Sequence, residues 1–290
     1  MKIAMFYPDK GSVGRNDGPP LFWTYNLRKI FGKENVIHLL PRGDISCFGK
    51  FDLHVWVDFG DDAINIGTDW VCPKPNVYIT SDTHLGYDYR LRKARDFDLV
   101  LCNQKRAMEE FVRDGIPKKR CFWFPHAFEP DCYKPFNIVK KYDVCFVGHL
   151  ANEARVRALD ALFKAIPNFY WGVKFFEEAA KTFSQTKVVF NYSVGDDANM
   201  RLFESLGTKS FLLTNWIPTL GELFEDGKHL VTYKTIEEAI EKVTYYVEND
   251  QEREEIAQAG YDEVMKNHTY RERVEQMLEI IGIKEVLCQK

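Results

Sequence analysis

The sequence has no apolar run of membrane-spanning length, and its N-terminal stretch MKIAMFYPDK turns polar after a few apolar residues. A secretory signal needs a longer apolar segment, and a spanning helix needs about 20 apolar residues. Basic residues are not in excess either, since the net charge is −4 over 290 residues. Non-specific nucleic-acid binding depends on clustered Lys and Arg, so that class is disfavoured, although a local basic patch stays open. We therefore expect a cytoplasmic globular protein with no membrane span.

Paired cysteines are also lacking. The seven cysteines are an odd number, and no two of them form a C-x-x-C pair. This pattern disfavours a disulfide framework and a zinc ribbon. Cys102, Cys121 and Cys145 lie inside apolar runs, so we expect them to be reduced core residues, as free cysteines commonly are.

Signatures of dinucleotide and metal binding are missing or badly placed. The glycines between Gly11 and Gly18 do not have the G-x-G-x-x-G spacing of a dinucleotide site. Their loop is either a plain surface loop or a place where backbone N–H groups bind a phosphate or hydroxyl. Asp96-Phe97-Asp98 has the form of a metal-binding pair, but it precedes its apolar run, whereas parallel sheets bind ligands at the carboxyl ends of strands. We expect no metal site and no resident cofactor.

Short apolar runs rich in β-branched and aromatic residues alternate with amphipathic stretches along the chain. This alternation predicts β-α units and parallel sheets, and so an α/β protein. The predicted strands are KIAMFY, NVIHLL, LHVWVDF, NVYIT, DLVLC and CFWF, followed by DVCFVG, FYWGV, KVVFNY, SFLLT and HLVTY. The predicted helices begin near Leu21 and cover Glu153 to Ala165, Ala198 to Leu206 and Thr235 to Glu248, with two more broken near His268–Thr269.

The stretch PHAFEPDCYKPFNIVKKYD carries three closely spaced prolines and no periodicity, which predicts a linker. We therefore expect two doubly wound domains, at residues 1–135 and 136–290, with the terminal helices in the second. A cleft between two such domains is a natural ligand site, because strand ends and helix N-termini can point into it.

Polar residues follow several predicted strands. Asp82 and His84 follow NVYIT, and their pairing would position an imidazole for proton transfer, with ordinary loop polarity as the alternative. His126, at the start of the predicted linker, allows the same two interpretations. Gly148 ends DVCFVG, where a small residue lets a phosphate approach the backbone.

Four charged side chains on two predicted helices allow a functional and a surface interpretation. Arg155 and Arg157 follow Gly148 and would neutralise a phosphate, or be solvated on a helix face. Arg201 and Glu204 lie opposite the apolar face of their helix. They would either form an exposed i,i+3 ion pair or hold a ligand.

Six stretches carry a resemblance to a known family. They are SDTHLGYDYRLRKARDFDLVLCNQK, FWFPHAFEPDCYKP, YDVCFVG, NMRLFESLGTKSFLLTN, LGELFEDGKHLVTY and AGYDEVMKNHTYRERV. In this order they resemble the CgeB-like glycosyltransferases, a family of GT-B fold. The resemblance covers about residues 76–281. It implies two Rossmann-like domains facing a cleft, with a nucleotide-sugar donor on the C-terminal domain and the acceptor mainly on the N-terminal one.

The resemblance also assigns roles to residues. Glu204 matches the second acid of the E-x7-E element of retaining GT-B enzymes, which hydrogen-bonds the donor ribose, and Asp196 matches the first with a shorter side chain. Arg201, with an arginine of the preceding helix, would stabilise the leaving nucleoside diphosphate without a metal ion. The assigned set is His84, Asp82 and Arg201 for catalysis; Gly148, Arg155, Arg157, Asp196, Asn199 and Glu204 for the donor; and Gly11, Gly14, Arg15 and His126 for the acceptor side.

We therefore expect a metal-independent, retaining glycosyltransferase whose co-substrate is a nucleoside-diphosphate sugar. The acceptor stays open between a polysaccharide, a protein, a small metabolite and a nucleic acid. The alternative is a non-catalytic nucleotide- or sugar-binding relative with the same fold. A nicotinamide-dependent oxidoreductase is disfavoured because its glycine fingerprint is missing.

Overall fold

The computed structural model describes residues 1–7, 18–40, 48–58, 71–150, 152–195 and 197–283. The chain divides into two compact units, each built on a parallel sheet with helices. The first unit is formed by Met1–Pro125 and Tyr270–Lys290, and the second by His126–Thr269. No helix in the described ranges is both long enough and apolar enough to cross a membrane.

The first unit contains a six-stranded parallel sheet. Its spatial order is β2 (Val36–Leu39), β1 (Ile3–Phe6), β3 (Leu53–Asp58), β4 (Asn76–Thr80), β5 (Leu99–Cys102) and β6 (Cys121–Trp123). The helices of this unit are α1 (Pro19–Phe31), α2 (Tyr87–Arg95), α3 (Lys105–Arg113) and α9 (Tyr270–Ile280). Every residue of β1, β3, β4 and β5 is buried, as expected for parallel strands covered by helices.

The second unit contains a five-stranded parallel sheet. Its spatial order is β11 (Val231–Tyr233), β10 (Phe211–Asn215), β9 (Thr186–Asn191), β7 (Tyr142–Val147) and β8 (Phe169–Gly172). The helices are α4 (Glu153–Ala165), α5 (Phe176–Ser184), α6 (Met200–Gly207), α7 (Ile236–Glu248) and α8 (Asp250–Asn267). The strand order reverses between β7 and β9. Open parallel sheets bind ligands outside the carboxyl ends of strands at such a point.

Each predicted strand is present, and the predicted helices correspond to α1, α4, α6 and α7. The terminal helices α8 and α9 are separated at His268–Thr269 as predicted. The predicted helices do not include α2 and α3 of the first unit, or α5, which lies between β8 and β9. Cys102, Cys121 and Cys145 are free and buried, which confirms that prediction.

The segment predicted to be a linker is packed into the second unit. Up to Lys141, where β7 follows, it contains no named helix or strand, yet Phe128 and Tyr133 are buried. The N–H of Phe128 donates to the carbonyl of His268 at 3.1 Å, and the Phe128 ring lies against Gly207 at the end of α6. The second unit therefore begins at His126, ten residues before the predicted boundary at residue 136.

The last helix, α9, belongs to the first unit and not to the second, where the sequence pattern places it. The ring of Tyr270 lies 5.0 Å from that of Phe22 on α1, measured between centroids. Nε of Arg273 donates to the carbonyl of Pro125 at 2.9 Å. α9 therefore packs on α1 of the first unit, although it follows the second unit in sequence. Its amphipathic pattern predicts a helix but does not indicate the helix on which it packs.

Gly260, in the middle of α8, shows how closely the second unit is packed. A Cβ atom at this position would lie 2.2 Å from the backbone carbonyl oxygen of His229. Backbone atoms cannot move aside as the end of a flexible side chain can. α8 can therefore lie against the backbone of His229 only because residue 260 has no side chain.

Replacing Gly260 with alanine should lower the free energy of unfolding by about 1–3 kcal/mol, the usual cost of overpacking. This loss opposes the gain of about 1 kcal/mol that alanine normally brings to a helix. Gly221→Ala is the matched control, because a Cβ at Gly221 meets nothing within 4 Å. Urea unfolding measures both variants, and equal stability would contradict the packing argument.

Candidate functional site

The side chain of Arg201 extends from α6 to the carboxyl ends of β7 and β9. Its Nε donates to the carbonyl of Val147, and its Nη1 donates to Oδ1 of Asn191 at 2.7 Å. The guanidinium carbon lies 4.4 Å from the centre of the Phe146 ring, which adds a cation–π contact. These contacts fix the first turn of α6 at the point where the strand order reverses.

Gly148 follows β7 and leaves room for this guanidinium. Its φ is +151°, and a Cβ atom there would lie 1.9 Å from Nη2 of Arg201. Its N–H donates to the carbonyl of Gly172 at 2.9 Å, and its carbonyl accepts from Nε1 of Trp171 at 3.1 Å. Gly148 thus leaves the space that the Arg201 guanidinium occupies. The predicted contact of Gly148 with a diphosphate stays a prediction.

Asn191 joins the loops around the N-terminus of α6. Its buried Nδ2 donates to Oγ1 of Thr214 at 2.9 Å and to Oγ of Ser193 at 3.1 Å. The side chain of Asn199, at the N-cap position of α6, donates to Asn191 and Ser193 and does not cap the helix. The first-turn N–H groups of α6 are therefore not capped by this residue, and the positive end of the helix dipole faces the same strand ends.

The two arginines of α4 have different surroundings. Arg155 is buried and donates from Nη1 to the carbonyl of His149 at 2.9 Å and from Nη2 to that of Tyr192 at 2.8 Å. Arg157 is exposed and pairs with Glu153 at 3.0 Å, one turn away. Two residues of separation place them on opposite sides of the helix. Arg155 is thus part of the buried cluster around Arg201, whereas Arg157 is exposed and its predicted contact with the donor stays a prediction.

Arg155 and Arg201 bring two positive charges to this end of the sheet. Burial, and then the neighbouring Arg155, lower the pKa of Arg201 to about 10. Burial also lowers the pKa of Arg155. No carboxylate within the described ranges lies at ion-pairing distance from either guanidinium, while Asp196 is outside those ranges. Buried charge of this kind is stabilised when an anion binds.

Glu204 lies on α6 less than one turn after Arg201. Burial raises the pKa of its carboxyl to about 7, and a hydrogen bond from the Tyr133 hydroxyl and the charge of Arg201 oppose that rise. The two residues do not form the exposed ion pair that the helical projection allowed. Arg201 is directed to Val147 and Asn191 instead.

In the first unit, Asp82 and His84 lie in the loop between β4 and α2. Asp82 has a φ of +49°, an uncommon value for a residue with a Cβ atom. The side chain of His84 is exposed and hydrogen-bonds no described residue, so the predicted pair with Asp82 is not formed. Arg90, fully buried, holds the loop by donating to the carbonyl of Leu85 and by pairing with Asp58 at 3.0 Å.

The remaining predicted site residues are His126, in the second unit, and four residues that the structure does not describe. His126 is only 4% exposed, which leaves little of its ring for an acceptor to contact. Gly11, Gly14, Arg15 and Asp196 lie outside the described residues.

The Asp96–Asp98 pair precedes β5, as predicted. Oδ2 of Asp98 accepts from the N–H of Asn76 at 3.1 Å, and its Oδ1 accepts from Nζ of Lys74 at 2.7 Å. Asp98 therefore links the amino end of β5 to that of β4. The described part of the chain contains no group of three or more His, Cys, Asp or Glu side chains that could hold a metal ion.

A separate pocket of about 400 Å³ lies near the N-termini of α4 and α7. Tyr192, Trp216 and Lys234 contribute to its wall, and so does the exposed Arg157. Arg201, Asn199 and Glu204 do not line it. The pocket adjoins the charged site at Tyr192, whose carbonyl accepts from Nη2 of Arg155.

Asn191 and Tyr133 were not identified from the sequence. Asn191 is a polar residue near the end of the apolar run KVVFNY. Its position at the carboxyl end of a predicted strand is the feature that could have identified it. Tyr133 lies in a proline-rich segment without periodicity, and no local pattern marks it.

Comparisons with known proteins agree with this architecture. Residues 154–279 match a protein-family model described as glycosyl transferase-like. No curated protein matches the sequence. A structure of HepE from Anabaena with UDP and glucose has a TM-score of 0.72 at 14% identity, covering 97% of this chain and 99% of that one. A glycosyltransferase from Rickettsia africae has a TM-score of 0.65 at 11% identity, covering 100% of this chain and 99% of that one. Sucrose-phosphate synthase from Thermosynechococcus elongatus has a TM-score of 0.67 at 7% identity, covering 97% of this chain and 98% of that one.

The chain therefore has the GT-B fold, as predicted, with a glycosyl transferase-like segment that covers α4 to α9. The predicted enzyme class, a glycosyltransferase, agrees with both findings. The narrower CgeB-like assignment stays a prediction from the sequence.

Glu204→Gln should stabilise the protein at pH 8 and leave it unchanged near pH 5. The folded pKa of about 7 exceeds the ordinary value of 4.5, so the folded state holds its proton more tightly and stability is lost as pH rises between these values. We expect a gain of about 1 kcal/mol at pH 8 for this partly exposed group, or about 2–4 °C in melting temperature.

The control is Glu241→Gln on the exposed side of α7, which should not change the melting temperature at either pH. Thermal scans at both pH values make the comparison. A Glu204→Gln variant less stable than the parent at pH 8 would show that the carboxylate stabilises the fold.

Proposed function

We propose that the protein is a glycosyltransferase that uses a UDP-sugar as donor, and that the nucleotide binds at the N-terminus of α6. The observation that carries this proposal is the pair of guanidinium groups, Arg155 and Arg201, which meet no carboxylate among the described residues. They lie at the strand-order reversal, beside a helix N-terminus whose dipole also favours an anion. A diphosphate has the charge and the hydrogen-bond acceptors that this arrangement lacks.

The same groups suit the chemistry of sugar transfer. Cleavage of the anomeric bond leaves negative charge on the departing diphosphate, and fixed donors stabilise that charge because they need not reorganise. Arg201 is held in place by Val147 and Asn191, so it is preorganised in this sense. The transfer would then need no metal ion.

Glu204 is proposed to bind the ribose of the donor. A carboxylate can accept hydrogen bonds from two vicinal hydroxyl groups, and Glu204 lies on the same helix as Arg201. Uridine is the proposed nucleoside because the structurally similar HepE has been solved with UDP and with UDP-glucose. Retention at the anomeric carbon is proposed from the positions of Glu204 and Asp196 in the E-x7-E element.

A nucleotide-binding relative without catalytic activity is the second candidate. The observation that favours it is the missing contact between Asp82 and His84, since no assembled acid–base pair is present at the end of β4. Catalytic contacts can form only when substrate binds. Release of UDP from a UDP-sugar that depends on an added acceptor distinguishes the two candidates.

UDP and UDP-glucose should raise the melting temperature of the parent protein through preferential binding to the folded state. EDTA should leave that rise unchanged, because no metal ion takes part in the proposed binding. A rise that disappears in EDTA and returns with magnesium or manganese would contradict metal-independent binding.

Glu204→Ala should weaken UDP binding by roughly tenfold to somewhat over a hundredfold, which corresponds to the 1.5–3 kcal/mol of hydrogen bonds to a charged group. Isothermal titration calorimetry on folded protein gives the affinity. Glu241→Ala, on the exposed side of α7, is the matched control and should bind UDP as the parent does. Parental affinity in Glu204→Ala would remove this residue from the ribose site.

His84→Ala should lower donor turnover at least tenfold, which is at the low end of acid–base or positioning effects. UDP affinity should stay within about threefold, because the variant lacks only a group that acts on the transferred sugar or the acceptor. UDP release from UDP-sugars measures turnover. Leu85→Ala, an exposed neighbour in the same loop, is the control, and equal turnover of both variants would exclude a role for His84.

A further inference from the structure

The loop between β4 and α2, which carries His84, is attached to the rest of the first unit at its start and in its middle. The N–H of Ser81 donates to the carbonyl of Asp58, the last residue of β3, at 3.0 Å. The N–H and the hydroxyl of Thr83 both donate to Oε1 of Gln104, the N-cap residue of α3, at 3.2 Å. The backbone beside His84 is therefore held in place, while the His84 side chain is exposed.

Arg90 on α2 holds the end of the same loop. Its Nη1 donates to the carbonyl of Leu85, the residue after His84, and its Nη2 donates to Oδ1 of Asp58 at 3.0 Å. The N–H of Leu85 donates to the carbonyl of Asp82 at 2.8 Å and closes a turn that contains His84. Asp58 consequently holds both ends of the loop, the start through its carbonyl and the end through Arg90.

The pair formed by Arg90 and Asp58 is almost completely shielded from water. The two side chains are 0% and 1% exposed, and the second carboxylate oxygen of Asp58 accepts from the hydroxyl of Tyr78. Removing two charges from water costs about as much free energy as their attraction returns, so a buried pair is a poor source of stability. The pair does fix a geometry, because a guanidinium carries its donors in a rigid fork.

We propose that Arg90 and Asp58 are positioning residues of the transfer reaction, which hold the backbone on both sides of His84 so that its imidazole reaches the transferred sugar or the acceptor. This inference rests on the proposed function, in which His84 acts on one of those two groups. Misplacing a group by about 1 Å can lower a reaction rate by about a hundredfold. Arg90 and Asp58 themselves act through His84 and do not touch the substrate.

Arg90→Lys tests this role, because it keeps the positive charge and changes the geometry. Lysine has one ammonium group in place of two separate nitrogens, so it cannot hold Leu85 and Asp58 in the same arrangement. The rate of UDP release from UDP-glucose should fall by about three- to tenfold, and no further than in His84→Ala. UDP affinity, measured by calorimetry, should stay within about twofold, so the loss should lie in kcat.

Arg120→Lys is the matched control. The guanidinium of Arg120 also donates to a backbone carbonyl of the first unit, that of Phe97 at 2.7 Å, but it lies before β6, at the amino end of the sheet. The turnover of this variant should equal that of the parent.

Thermal scans show whether each variant is folded. If Arg90→Lys does not fold, Tyr78→Phe replaces it, because this change keeps the pair and removes the hydroxyl that holds the second oxygen of Asp58. Its turnover should fall by about two- to fivefold, the effect of one hydrogen bond.

A double-mutant cycle separates positioning from a general structural role. In a His84→Ala background, the added Arg90→Lys or Tyr78→Phe change should alter turnover by less than about twofold, because the group that is positioned is gone. Equal losses in both backgrounds, or parental turnover in the single variant, would overturn the inference and leave the proposed function intact. A parent protein that releases no UDP from UDP-sugars would overturn both.

Discussion

The hydrogen bonds of Arg201 to the Val147 carbonyl and the Asn191 side chain determine most of the candidate site. They attach α6 to the ends of two central strands, and so they fix where the helix N-terminus and Glu204 lie. They also require a residue without a side chain at Gly148, because a Cβ atom there would overlap the guanidinium. The position of Arg201 thus determines where Gly148, the N-terminus of α6 and the Glu204 carboxyl lie relative to one another.

This arrangement is unfavourable for the unliganded protein. Burial lowers the pKa of Arg201 and raises that of Glu204, so the surroundings disfavour the charged form of both groups. The Phe146 ring offsets part of the cost, since both Arg155 and Arg201 lie over it. Stability given up in this way is typical of binding sites, where the ligand supplies the missing interactions.

The sequence predicts the strands well because each is a short apolar run that a parallel sheet buries on both faces. The family resemblance assigns Gly148, Arg201 and Glu204 to one site, and the structure places the Arg201 guanidinium against Gly148. The sequence cannot separate Arg155 from Arg157, because burial depends on which side of α4 faces the end of β9. Local pattern carries no information on such tertiary contacts.

The same limit explains the errors at the domain boundaries. Prolines and missing periodicity make residues 125–143 look like a linker, but Phe128 and Tyr133 are buried by contacts with residues distant in sequence. Periodicity identifies α9 as a helix, but not the helix on which it packs. Tyr133 is consequently a residue whose burial only the folded structure shows.

The first unit is discontinuous in sequence, because α9 packs on α1 after the second unit has been completed. A ribosome synthesises the chain from its N-terminus, so all of the second unit has been made once Thr269 is added. At that moment Phe22 and Trp23 of α1 still lack the Tyr270 ring that contacts them. The first unit can therefore be completed only after all of the second has been synthesised, which departs from a simple N-terminal-first order, and until then the Tyr270 contacts of α1 are absent.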